Sequence, residues 1–137
     1  MNAPLRAFVA GFAATLLFHQ AVIAVFHALG MVPNPPFSLT PTEPLGVPSV
    51  LSLAFWGGLW GVPIWLLIRG ANGVGYWVRG IAAGAVGPSV VALFVVFPLK
   101  GMAFAAGWDP RIFIGALIVN GAWGLGVCLF MRWPRLS

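Results

Sequence analysis

The chain has 137 residues, 61% of them hydrophobic and only 7% charged, with a formal net charge of +5. Soluble domains carry about 25% charged residues, so this composition excludes a globule that covers itself with polar surface in water. The seven basic residues, Arg6, Arg69, Arg79, Lys100, Arg111, Arg132 and Arg135, stand singly between apolar stretches, which excludes the clustered basic face of a nucleic-acid binder.

A helix that crosses a bilayer needs about 20 predominantly apolar residues, and four segments qualify: 5–29, 49–68, 78–99 and 110–131. They predict an all-α integral membrane four-helix bundle in one domain, 1–137, with the lipid bilayer as its medium. The first segment has Arg6 as a charged start and is longer than the roughly 7–15 apolar residues of a signal peptide. It also contains His19 and Gln20, so it reads as a retained span. Ala7, Gly11, Ala14 and Phe18 share one of its faces. The loop 31–48 holds six of the twelve prolines, which forbids helix or central strand. An extended outer cap is expected there, with Phe37 and Leu39 turned toward the membrane interface.

In the second segment Gly57 and Gly61 form a GxxxG pair, with Trp56 and Trp60 on an adjoining face. Pro63 lacks the amide hydrogen that would continue the ladder and is expected to kink the helix. The glycine-rich turn 70–75 follows a helix and contains no lysine, so it reads as a hinge rather than a phosphate loop. In the third segment Gly80, Ala83, Gly84, Gly87 and Val91 form a second small-residue stripe, with a kink expected at Pro88. Asp109-Pro110 is a helix start, an acid at the cap and proline at the first position. The fourth segment repeats the stripe with Leu117, Asn120, Gly121, Gly124 and Cys128. Small residues let helices approach closely in lipid, so Gly57, Gly61, Gly80, Gly84, Gly87, Gly121 and Gly124 are the expected packing positions.

Basic residues in short loops stay on the cytoplasmic side. With the first helix starting inside, that side takes five of the seven (Arg6, Arg69, Arg79, Arg132, Arg135), against Lys100, Arg111 and both acids outside. The expected location is a bacterial cytoplasmic (inner) membrane, multi-pass, with both termini cytoplasmic. Tyr76, Trp77 and Trp133 fit an inner aromatic belt and Trp108 an outer one.

Polar groups deep in a span are costly and therefore informative. At 1.5 Å rise per residue, His19, Trp56 and Asn120 each lie roughly 18–20 Å above the inner basic residues, with Ser89 slightly lower. His19, Gln20, Trp56, Ser89 and Asn120 thus form one candidate mid-membrane polar layer, expected to be tied by a His19–Asn120 or Gln20–Asn120 hydrogen bond. A wet cavity at His19 is the functional alternative. His27 sits near the outer end and reads as a solvated interface residue. Two histidines about 80° apart around one helix, without acid or cysteine partners, make a poor metal or haem site. Cys128 is the only cysteine, and Glu43 and Asp109, the only acids, lie outside the spans. No catalytic, cofactor-binding or metal-ligating residue is therefore assigned.

Phe18-His19-Gln20, Phe55-Trp56-Gly57-Gly58-Leu59-Trp60-Gly61 and Val119-Asn120-Gly121-Ala122-Trp123-Gly124 resemble a group of small four-helix membrane proteins from proteobacteria. That resemblance implies the fold and brings no activity. The expected function is a non-enzymatic accessory or self-associating bundle, partnered in a homo-oligomer or a larger membrane complex. An oligomeric small channel or transporter is the alternative, and a His-dependent membrane enzyme a distant one.

Overall fold

The computed structural model describes residues 1–133, and Arg135 lies outside the described residues. It is 76% helical. Four helices are long and apolar enough to cross a membrane: α1 Ala3–Ala28, α2 Ser49–Ile68, α3 Gly73–Leu99 and α4 Pro110–Arg132. They run up, down, up, down, joined by a long first connection, 29–48, and by two short ones, 69–72 and 100–109, of the kind that links antiparallel neighbours. The most extensive contacts are α3 with α4 and α1 with α2; α1 also packs on α4, while α2 meets α3 over a smaller area.

The helix starts are written in the sequence. Asn2 caps α1 by accepting from the Leu5 amide at 2.9 Å. Asp109 caps α4 by accepting from the Arg111 amide at 3.0 Å, and Pro110 takes the first turn. α3 starts at Gly73, five residues earlier than position 78. Asn72 ends the connection there, and the extra turn makes Tyr76 helical. Tyr76 is consequently buried, its hydroxyl donating to the Cys128 carbonyl at 2.6 Å, rather than standing in an exposed belt.

Pro63 and Pro88 lie inside continuous helices. Two π turns interrupt the α geometry, Thr15–His19 in α1 and Ala92–Val96 in α3. In the first, the Gly11 carbonyl accepts from Thr15 Oγ1 at 2.9 Å and from Trp123 Nε1 at 3.0 Å.

The small-residue stripes hold backbone against backbone. A methyl group on Gly124 would lie 2.5 Å from the Gly80 carbonyl oxygen, and one on Gly84 would lie 2.8 Å from Gly124 Cα. Gly11 and Gly61 face the backbones of Gly57 and Ala7 in the same way. Gly121 is different, because an added methyl there would meet only Ala85 Cβ and Ile81 Cγ2 at 3.5 and 3.8 Å. Leu117 turns outward, 40% exposed, at the edge of the α4 stripe. The core is completed by Ala10, Ala14, Ile64, Ile68, Trp123, Val127 and Cys128.

The Pro-rich segment after α1 folds back over the top of α2. Its two-residue strands, β1 Pro41–Thr42 and β2 Val47–Pro48, pair antiparallel, and Leu45 in the turn between them is 85% exposed. The Ser49 and Val50 amides donate to Thr40 O and Ser38 O, so the loop satisfies the start of α2. Between α3 and α4 the chain makes a short turn, Phe104–Trp108, in which Ala105, Ala106, Gly107 and Trp108 have φ of 53°, 53°, 65° and 61°. Four successive left-handed residues are strained for L-amino acids. Phe94, Phe104, Trp108 and Phe113 cluster around them, with Trp108 stacked on Phe113 at 5.9 Å between centroids.

Candidate functional site

Four of the five polar-layer residues divide into two separate sets, and the fifth, Trp56, joins neither. On one side of the bundle, Asn120 Nδ2 donates to Ser89 Oγ at 2.9 Å, joining α4 to α3. On the other, Gln20 turns to the loop: the Phe37 amide donates to Gln20 Oε1 at 2.7 Å, and Gln20 Nε2 lies 3.1 Å from His19 Nδ1. Neither His19 nor Gln20 bonds Asn120, so the expected register bond is replaced by these two local pairs. The reason is rotational: rise along an axis fixes depth, but facing is set by which side of each helix meets its neighbour. Ser89 stands beside the small-residue stripe of α3, where α4 meets it, whereas Gln20 lies on the side of α1 that faces the loop and α2.

Trp56 is 58% exposed and points out of the bundle. The tryptophan that enters the interior is Trp123, 3% exposed, whose indole bridges α4 to the Gly11 carbonyl of α1. Thr15 and Trp123 are the interior hydrogen-bonding residues that depth counting missed. The available signal was their position: Trp123 adjoins the Gly121–Gly124 stripe, and Thr15 stands one turn beyond Gly11, close enough for its hydroxyl to reach that carbonyl.

His19 and Gln20 open onto a cleft of about 360 Å³ between α1, the start of α2 and the loop. Asn34, Ser38, Thr40 and Ser49 supply polar walls, and Ile23 and Leu53 apolar ones. No charged residue lines it. A neutral, half-polar cleft of this size suits hydrogen bonding to a small uncharged group. His27 lies outside it, with Nδ1 3.1 Å from Val32 O at the exposed end of α1.

Charge is segregated to the two ends of the bundle. At the end formed by the start of α1 and the finish of α4, Arg6 donates to Met131 O at 3.2 Å. Arg132 sits over the Tyr76 ring at 3.9 Å and Arg69 over Trp65 at 5.2 Å. Arg79 reaches Leu67 O at 3.4 Å. Among the described residues the one salt bridge is at the opposite end, Arg111 with Asp109 at 3.2 Å. That guanidinium holds the Asp109 carboxyl below the usual carboxylate range.

Among the described residues no group of three or more His, Cys, Asp or Glu converges to hold a metal ion. Compared with protein-family models, curated proteins and solved structures, the chain matches none of them.

Proposed function

We propose that the chain is a four-pass protein of the bacterial cytoplasmic membrane, with both termini cytoplasmic, acting as a non-enzymatic accessory or self-associating bundle. The orientation is supported by the end-to-end charge contrast: Arg6, Arg69, Arg79 and Arg132 at one end, against Lys100, Arg111, Glu43 and Asp109 at the other. The observation that carries the functional reading is the glycine-mediated backbone contact in the α1–α2 and α3–α4 pairs. These contacts make a filled, preformed unit whose outward residues, Phe55, Trp56 and Leu59 among them, are left for other molecules. Disulfide trapping in native membranes tests this with Trp56→Cys, since Cys128 is buried and silent. A discrete dimer, or a single stoichiometric heteromer on gentle solubilisation, supports the reading. A chain that is only monomeric by both measures overturns it.

The cleft at His19 favours a second reading, an oligomeric small channel or transporter. Solute flux in proteoliposomes that is lost in His19→Leu would move the assignment to it.

A further inference from the structure

The hydrogen bonds around Gln20 assign every proton in the chain that runs from the loop to His19. The Phe37 backbone can only donate, so the Gln20 atom 2.7 Å from it must be the carbonyl oxygen. The amide nitrogen is thereby placed 3.1 Å from His19 Nδ1, and it too can only donate. His19 Nδ1 must therefore be a bare acceptor, and the neutral ring carries its hydrogen on Nε2. Among the described residues every buried side-chain N or O has a hydrogen-bond partner. Nε2 makes no hydrogen bond among the described residues, so it is accessible, and the space at His19 is the cleft.

We propose that His19 and Gln20 form a proton-operated latch on the Pro-rich loop. A proton added to Nδ1 turns the imidazole into a donor at that position. Two donors, His19 Nδ1–H and Phe37 N–H, then compete for the single oxygen of the Gln20 amide. If the amide keeps its orientation, two N–H groups oppose each other; if it flips, the Phe37 bond is lost. A charged imidazolium is the stronger donor, so the flip prevails and the loop is released from α1. Phe37 has φ 55°, a conformation that a non-glycine residue holds only under constraint, so loss of that bond favours relaxation of the segment. Among the described residues no other titratable group lines the cleft, and α2 has none between Ser49 and Ile68. On α4, Arg111 and Arg132 lie at the ends and Cys128 packs against Gly80 and Tyr76 of α3, while His27, two turns along α1, is held at Val32 O. Glu43, in the β1–β2 turn, is outside the lining.

The test is the distance distribution between spin labels at Leu45→Cys, on the loop, and Arg111→Cys, at the near end of α4. It is measured in lipid nanodiscs at about pH 8 and at about pH 3, the acid limit lying well below a free imidazole's range because a charged ring is costly away from water. The otherwise native sequence should give a narrow distribution at the higher pH and a broad one in acid, with unchanged far-ultraviolet circular dichroism. His19→Asn, whose carbonyl oxygen takes the place of Nδ1 as a pure acceptor, should stay narrow at both. Gln20→Leu should be broad at both. An unchanged distribution in acid, or acid broadening that persists in His19→Asn, overturns the latch.

Discussion

Single atoms decide how the interior polar groups are used. The Gly11 carbonyl accepts from both Trp123 and Thr15, so Trp123→Phe removes one donor and leaves the acceptor satisfied. The expected loss is about 0.5–1.5 kcal/mol, read from thermal unfolding in detergent. Asn120→Leu should cost about 0.6 kcal/mol, the average for hydrogen bonds between helices in a bilayer; a loss of several kcal/mol would mean that Asn120 holds more than Ser89. Asp109 provides a pH-dependent case. Its carboxyl is depressed by Arg111, so its contribution is present above the carboxylate's unfolded value and fades as pH falls through the folded one. The stability difference between the native chain and Asp109→Asn, which keeps the helix cap, should accordingly shrink in acid. Depth, capping and polarity were legible from the sequence at this scale. Partner identity was not, because His19, Gln20, Ser89 and Asn120 lie within a few ångströms of one level and only helix rotation separates them.

Helix pairs are where the glycine stripes act, and the seven positions inferred from spacing are unequal. Gly124→Ala drives a methyl toward the Gly80 carbonyl and should destabilise by about 1–3 kcal/mol, as overpacking does. Gly121→Ala meets only ordinary contacts and should gain up to about 1 kcal/mol from helix propensity. Equal effects at the two sites in a denaturation series would contradict the packing described. The stripe on α3 was readable in advance because periodicity alone places Gly80, Gly84 and Gly87 together. Gly58 and Gly126, which lie against Phe8 and against Phe18 with Ala14, escaped because they fall off the dominant period and are matched to bulky rings rather than to other glycines. The π turns were not legible either, since no proline or glycine marks residues 15–19 or 92–96.

For the whole molecule, the number of helices and the segregation of charge followed from composition and loop residues, while the descent of the loop onto α2 did not. α2 has 20 residues and α1 has 26, and the loop occupies the level that α2 leaves vacant. Orientation is checked with an impermeant thiol reagent on intact cells with a permeabilised outer membrane. Leu45→Cys should react and Asn72→Cys should not, and the reverse pattern would invert the assignment. The turn between α3 and α4 carries a separate implication. Residues 105–108 coil in the hand that mirror-image amino acids prefer. A semisynthetic chain with D-alanine at positions 105 and 106 would therefore sit there without strain. It should melt at a higher temperature than the natural enantiomer, so that inverted chirality would strengthen the protein at this turn.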